Sequence, residues 1–352
     1  MHESWHLPTT TLGWFGSLLR GVFLYGTNLY ILTGLVYLVF RFTTGESSVV
    51  VTLGNILLHW FLMLSLGLLV VALLMRAWWH SGVLLGFVAA FMLLYGGLFL
   101  PGSPASAAPP VNANLRLLTY NTANRYTHPE ELTALLRRVD ADVVGLVELS
   151  AASADEINIH LRDLYPYRIV RGEGVPGKAL LSKYPLVGWD VFTLQTERPN
   201  IQATINVNGQ QVDVLVAHPP SPDMSRSLNF YATDPNNLIE VQALLERVDM
   251  NRPTVMLGDY NFTDQSAAHH LVRQAGFVDA YQQVGRGFGG TVYGRSVRIN
   301  RQLRWYAWRD PAIARIDYVF FSAPHFRAVS AITEEPIRSD HKPVVAELQL
   351  WR

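Results

Sequence analysis

Three stretches of this 352-residue chain contain no Asp, Glu, Lys or Arg: 21–40, 47–75 and 77–115. A helix needs about 20 apolar residues to span a ~30 Å hydrocarbon core. Each stretch is long enough to supply one, which predicts spans at about 21–40, 50–75 and 82–100. Residues 1–110 carry only Glu3, Arg20, Arg41, Glu46 and Arg76, so 25 of the 28 basic and 26 of the 28 acidic residues fall in 111–352. The net charge of zero is therefore an average over two different solvents. Trp5, Trp14, Trp78 and Trp79 stand near the expected span ends, as interfacial aromatics do. This pattern excludes a simple soluble enzyme, a disordered chain and a strongly basic nucleic-acid binder.

Orientation rests on few charges. Arg20 and Arg76 would share one side of the membrane and Arg41 the other. Two against one places the N-terminus and the second loop inside. Three spans then carry everything after residue 101 out of the cytoplasm, in a multi-pass plasma-membrane protein. His59 and His80 lie within the apolar region without an accompanying carboxylate, which favours interfacial or bundle-facing histidines over a proton relay. A transporter is disfavoured for the same reason. The segment PGSPASAAPP at 101–110 has linker composition, and a linker is expected over 101–112. Its Ala105-Ser106-Ala107 resembles a signal-peptidase site, although the long apolar run before it favours an uncut tether. The absence of cysteine removes disulfides, thiolate metal sites and cysteine nucleophiles. It also agrees with an oxidising location.

From 113 to 352 short β-rich runs alternate with helical ones. Strands are expected at Leu115–Tyr120, Asp142–Glu148, Ala179–Ser182, Leu186–Leu194, Ile201–Val207, Val212–Ala217, Thr254–Leu257, Ile316–Phe321 and Val344–Leu350. Helices are expected at Pro129–Val139, Ala151–Leu164, 236–248 and 264–275. Asn208-Gly209 signals a tight hairpin. Mixed strands with interspersed helices point to an α/β sandwich, not a doubly wound sheet.

Polar groups recur at the ends of these strands. Asn121 ends the first and Glu148 the second. His218 follows Val212–Ala217, and Asp259 and Asn261 follow Thr254–Leu257. Asp317 sits inside the run Arg315–Phe321, and Asp340 and His341 precede the last strand. A single such residue is usually a turn former or a helix cap. Taken together they supply oxygen and imidazole donors without thiolate, a mixture suited to Mg²⁺ or Mn²⁺ and to acid–base work on a phosphate ester. Arg295, Arg298, Arg301, Arg304 and Arg309, interleaved with Trp305, Tyr306 and Trp308, form a basic aromatic stretch. It fits either a solvated loop or a contact to nucleic acid or lipid head groups.

The ordered segments LRLLTYNTA (115–123), DADVVGLVELS (140–150), KALLSKYPL (178–186), VDVLVAHPPSP (212–222), PTVMLGDYNFTD (253–264), RIDYVFFS (315–322) and SDHKPVVAEL (339–348) resemble the endonuclease/exonuclease/phosphatase superfamily. The resemblance implies a four-layered α/β sandwich of the DNase-I-like type over roughly 111–352. It implies Glu148 as principal metal ligand with Asn121 beside it, and Asp340 as a further ligand or outer contact. Asp259 would orient or deprotonate the attacking water, and Asn261 would position it. His341, held by Asp317, would face the scissile phosphate, and His218 would contact phosphate or protonate the leaving oxygen. Arg298, Arg301, Arg304 and Trp305 are candidate substrate contacts.

The sequence departs from the family pattern at three places. Ala123 stands where an acidic residue is frequent, which favours a single metal. Val147 replaces the usual Gln before the metal Glu, and Thr291-Val292-Tyr293 replaces Thr-Trp-Pro. The expected activity is metal-dependent hydrolysis of a lipid head group, a soluble phosphate ester or nucleic acid. The near-neutral charge disfavours tight nucleic-acid binding. A membrane-tethered nuclease and a non-catalytic binding module on the same scaffold are the alternatives.

Overall fold

The computed structural model describes residues 10–100, 111–124, 127–221, 236–293 and 312–351. The chain divides between Gly96 and Gly97 into two compact units.

The first unit holds three helices: α1 (Thr10–Thr43), α2 (Val49–Leu74) and α3 (Trp78–Tyr95). All three are long and apolar enough to cross a membrane. Large apolar side chains such as Leu29, Leu64, Trp79 and Leu93 are exposed along them, a surface that water does not tolerate at this extent. Their mutual packing is a small cluster around Tyr30, Ala72, Ala77 and Leu84. The first helix is 34 residues long and runs well beyond the expected 21–40, because Arg20 does not end it. The Arg20 guanidinium donates to the carbonyl of Met75 at 2.8 Å, so the charge is satisfied at the helix surface. At the other end of α1, Arg41 donates to Tyr37 and to Asn55 Oδ1, while Asn55 Nδ2 donates to Glu46.

The second unit begins its regular structure with β1 (Val111–Asn121), α4 (Pro129–Val139), β2 (Val143–Val147), α5 (Ala151–His160), β3 (Tyr167–Arg171) and β4 (Lys178–Ser182). There follow β5 (Leu186–Thr193), β6 (Pro199–Val207), β7 (Gln210–Ala217), α6 (Asn236–Glu246), β8 (Thr254–Asp259) and α7 (Ala267–Gln274). The last elements are β9 (Phe277–Asp279), α8 (Ala280–Val284), β10 (Val292–Tyr293), β11 (Ala312–Ala314), β12 (Asp317–Ser322), β13 (Phe326–Thr333) and β14 (Val344–Trp351).

Twelve of these strands form two six-stranded sheets, ordered β13-β14-β1-β2-β4-β3 and β5-β6-β7-β8-β12-β9, and β10 pairs with β11 in a two-stranded one. Each six-stranded sheet contains one parallel pair, β1 with β2 and β7 with β8, among antiparallel neighbours. The period-2 alternation of a strand sends successive side chains to opposite faces. In the first sheet Val144, Leu146, Ala179 and Leu181 pack beneath Leu132, Leu135 and Leu136 of α4 and Ile157 of α5. In the second, Leu215, Met256 and Phe320 pack beneath Val241 and Leu244 of α6 and Val272 of α7. The opposite faces meet each other. Gly145 of β2 lies there, and a Cβ on it would stand 2.8 Å from Leu257 Cβ of β8. The order of layers is thus helix, sheet, sheet, helix.

Local chemistry explains the element ends. Pro129 occupies the first turn of α4 with Glu130 and Glu131, Arg137 and Arg138 sit in its last turn, and Asp140 closes it at φ +52°, as the helix dipole favours. Asn208 and Gly209 both take positive φ in the β6–β7 hairpin, as a type I′ turn requires.

Five strands had no counterpart in the sequence pattern, among them β10 and β11, which have two and three residues. In β13 a bulge between Ala328 and Ser330 breaks the alternation. β3 is an edge strand carrying Arg168 and Arg171, and β9 has only three residues. The helices expected at Ala151–Leu164 and 264–275 are shorter, Ala151–His160 and Ala267–Gln274.

A buried ion pair anchors the approach to β12. Arg315 donates to Asp279 Oδ2, and the other Asp279 oxygen accepts from the backbone N–H groups of Tyr281 and Gln282 at the start of α8. Burial alone would raise the Asp279 carboxyl, but the Arg315 guanidinium, together with His269 at 3.6 Å, outweighs it and holds the group at about 2. This stabilisation is complete above the ordinary value of 3.8 and is lost as pH falls through about 2. Asp279→Asn is expected to destabilise the solubilised chain by about 3–5 kcal/mol and to remove this acid-dependent step. Unfolding followed by tryptophan fluorescence in detergent checks it, and a wild-type midpoint in the variant contradicts it.

Candidate active site

The two parallel strand pairs run toward the same edge of the stacked sheets. Asn121 ends β1 and Glu148 follows β2. His218 follows β7 and Asp259 ends β8. β12 runs antiparallel to β8 with Asp317 opposite Asp259, so its first residue arrives at the same edge. Asp340 and His341 precede β14, which is antiparallel to β1. Topology alone therefore gathers residues that are up to 220 positions apart in the chain.

The backbone at this edge is held in unusual conformations. Glu148 and Asn261 both have φ of +54°, a region sparsely occupied by residues with a side chain. The Glu148 carbonyl accepts from Thr122 Oγ1 at 2.8 Å and from the N–H of Asn124 at 3.0 Å, which fixes it. Gly258 has φ +154°, and a Cβ there would stand 1.9 Å from the Ala217 carbonyl oxygen. Only glycine lets β7 and β8 run so close just before Asp259. Ser339 Oγ donates to the Asn121 carbonyl at 2.8 Å and accepts from the N–H of His341 at 3.0 Å, tying the last loop to β1.

The side chains then converge. Asn121 Nδ2 donates to Asp259 Oδ2 at 2.9 Å and to Glu148 Oε1 at 3.3 Å. His218 Nε2 lies 3.5 Å from Asp259 Oδ2 and 3.8 Å from Glu148 Oε1. His341 Nδ1 is 2.8 Å from Asp317 Oδ2, and its Nε2 is 3.8 Å from Asp259 Oδ2. Asp259 Oδ1 accepts from the N–H of Asn261, whose Nδ2 donates to the Pro219 carbonyl at 3.0 Å. The amide of Asn261 is thus turned to the backbone beside His218.

The electrostatics separate the two histidines. Burial disfavours imidazolium at His341, but the carboxylates of Asp317 and Asp259 override it and push the group up to about 10. His341 is therefore a cation at neutral pH. At His218 burial acts with the charges of Lys178 and Arg198, and the ring is held neutral, well below its ordinary value. Burial and the neighbouring Asp317 push Asp259 up to about 7 against the pull of His341. Burial also raises Glu148, with Asp340 adding to it and Asn121 and His341 opposing it.

This imbalance fits a divalent cation. Carboxylates crowded together resist ionisation, and a bound cation supplies the missing positive charge. The donors are carboxylate oxygens, which suit a hard ion such as Mg²⁺ or Mn²⁺. The Glu148 side chain is 24% exposed while those of Asp259 and Asp317 are closed to solvent, so Glu148 offers the accessible oxygen. Asp259, Asp317 and His341 also present donor atoms within 4.8 Å of one another. In that group, however, His341 Nδ1 and Asp317 Oδ2 already face each other as an ion pair. Asn121 Oδ1 accepts from the N–H of Ala123 at 2.9 Å, so a ligand role for Asn121 requires its amide to turn.

Sequence reasoning did not single out two cations near this centre. Arg198 Nη1 lies 3.4 Å from His218 Nε2 and donates to the Pro219 carbonyl. Lys178 is buried within the same two-sheet interior. Thr291 was also missed as a support: its Oγ1 accepts from the N–H groups of Ile316 and Asp317. Arg295, Arg298, Arg301, Arg304, Trp305, Tyr306, Trp308 and Arg309 lie outside the described residues.

Comparison with known proteins identifies the family. A model of the endonuclease/exonuclease/phosphatase family matches residues 114–341. Similar solved structures include an endonuclease/exonuclease/phosphatase from Beutenbergia cavernae DSM 12333, at 21% identity and TM-score 0.54 over 68% of this chain and 72% of that one. A humanized D. rerio TDP2 carrying 14 mutations matches at 18% identity and TM-score 0.53, over 67% of this chain and 99% of its own. A Bacteroides vulgatus member matches at 19% and 0.51, over 68% and 99%. At these identities the likeness shows the fold. Among curated proteins none matches. The family match covers well over half of the chain, which belongs to the endonuclease/exonuclease/phosphatase family, whose members hydrolyse phosphoester bonds.

Proposed function

We propose that this chain is a membrane-anchored, divalent-metal-dependent phosphoesterase. It hydrolyses a phosphodiester or phosphomonoester on the extracytoplasmic side. Residues 1–100 serve as the membrane anchor, 101–112 as the tether and 113–352 as the catalytic domain. The observation that carries the reading is the convergence of Glu148, Asp259, His218 and the His341–Asp317 pair from separate strand ends.

In this reading Glu148, with Asp340 and a turned Asn121, holds Mg²⁺ or Mn²⁺. The ion when bound supplies charge neutralisation to the phosphate oxygens. Asp259 orients the attacking water and accepts its proton, a role suited to a carboxyl raised toward neutrality. Asn261 keeps the loop after β8 in place beside Pro219 and contributes to placing that water. His341, charged and fixed by Asp317, faces the phosphate and stabilises the negative charge that develops on it. His218, neutral and next to Asp259 and Glu148, donates a hydrogen bond to a phosphate or leaving oxygen. Arg198 adds positive charge at the rim. Arg298, Arg301, Arg304 and Trp305 are proposed to touch the substrate beyond the scissile group. With 25 basic against 26 acidic residues after position 110, the domain lacks the excess charge on which tight nucleic-acid binding depends. A lipid head group or a small phosphate ester suits it better.

Hydrolysis of bis(4-nitrophenyl) phosphate by the solubilised chain with Mg²⁺ or Mn²⁺ tests the mechanism. Glu148→Ala and His341→Ala are each expected to lower kcat by roughly 10²–10⁴-fold. EDTA is expected to abolish turnover and added metal to restore it. Full activity in both variants, or activity without metal, overturns the assignment. Sidedness is tested separately, because the chain has no cysteine. With Ile159→Cys, at a side chain 64% exposed, a membrane-impermeant maleimide should label intact cells. Labelling only after lysis places the domain in the cytoplasm.

A further inference from the structure

Lys178 is buried beside the carboxylates without a partner. It opens β4, in register with Val147 on β2 and Arg171 on β3. It is 1% exposed, and among the described residues its Nζ has no hydrogen-bond partner. Alternation fixes the direction of the side chain. Ala179 and Leu181 pack beneath α4 and α5, so Lys178 faces the other sheet. Asn121 and Val147 share that face, and Glu148 follows Val147 directly. Across the gap His218 continues the inward-facing series of Val214 and Val216 on β7. Burial, with Arg198 adding to it, pushes the Lys178 ammonium down to about 7, against the pull of Glu240, Glu148 and Asp259.

Packing does not account for a lysine here. A methionine would fill similar volume in an apolar interior without the cost of burying an unpaired ammonium. A group that costs stability and sits behind a reactive centre is explained by what it does there. At this place the ammonium, when protonated, acts through space on the carboxylates. It weakens their hold on any second cation, and it adds to the positive field at the phosphate.

We propose that Lys178 is a positioning residue of the phosphoester site, a built-in counter-charge to Glu148 and Asp259 that sets how tightly the centre holds its divalent ion. The proposal rests on the metallo-phosphoesterase reading above. It also gives a use to the departure at Ala123. With one carboxylate fewer than the family pattern supplies, a single divalent ion and the protonated Lys178 face the negative charge that remains.

The test uses the full chain in detergent, with Mn²⁺ binding read by calorimetry, thermal unfolding, and hydrolysis of bis(4-nitrophenyl) phosphate. Lys178→Met and Lys178→Gln are expected to lower the Mn²⁺ Kd on the order of ten-fold, as removal of a nearby like charge requires. They are also expected to raise the unfolding temperature and to lower kcat with little change in KM. Lys178→Arg, which is charged at every working pH, is expected to bind Mn²⁺ no more tightly than wild type. An unchanged Kd in both neutral variants overturns the proposal. So does weaker binding with a lower unfolding temperature, or failure of both variants to fold, since either marks a structural lysine. If the wild-type chain binds no Mn²⁺ and hydrolyses nothing, the phosphoesterase reading fails and this proposal with it. If wild type binds and turns over while the variants match it, the Lys178 proposal alone fails.

Discussion

The face-to-face contact of the two sheets, close enough that Gly145 meets Leu257 without room for a Cβ, holds two parallel strand pairs over each other. Everything chemical follows from that register. The pair β1–β2 delivers Asn121 and Glu148, and the pair β7–β8 delivers His218 and Asp259 at the same edge. Antiparallel β12 and β14 begin where the parallel strands end, so Asp317, Asp340 and His341 arrive beside them. A slip of one residue in any of these strands would turn its side chains to the opposite face. Gly258 is held to glycine by the backbone of β7, and Gly145 by the side chains of the facing sheet.

The charges at this edge are arranged against one another and not merely collected. Two imidazoles a few ångströms from the same Asp259 oxygen have opposite protonation. His341 is charged because Asp317 lies against its far nitrogen, and His218 is neutral because cations and burial surround it. The carboxylates in turn are held back from ionisation by burial and by each other. Such a site is costly to the fold, and the cost is offset elsewhere by two large apolar layers under α4–α5 and α6–α7. The pattern of opposed shifts is what acid–base work at neutral pH requires.

Much of this was legible in the sequence because the relevant residues stand at the ends of short apolar runs. The strands at 115–120, 142–148, 212–217, 254–257 and 316–321 announced themselves by composition, and each carried a polar group at or just beyond one end. What was not legible depended on long-range geometry. β13 hides behind a bulge, and the charges of β3 are those of an edge strand. α1 outran its expected start because Arg20 finds a carbonyl on Met75, a contact that no local pattern reveals. Arg198 and Lys178 gave no motif signal, since a lysine at the head of an apolar strand reads as a solvent-facing end. Only the second sheet, packed over it, makes that lysine interior. The three long apolar helices were the reverse case: the absence of charge over long runs announces them without any long-range contact.

The central claim is that this edge directs water onto phosphorus. Turnover of bis(4-nitrophenyl) phosphate by the metal-loaded chain in H₂¹⁸O tests it most directly. One ¹⁸O in the 4-nitrophenyl phosphate product, seen as an isotope shift in its ³¹P resonance, and none in the released 4-nitrophenol, is the expected result. Label in the phenol, or no turnover with either Mg²⁺ or Mn²⁺, would contradict it.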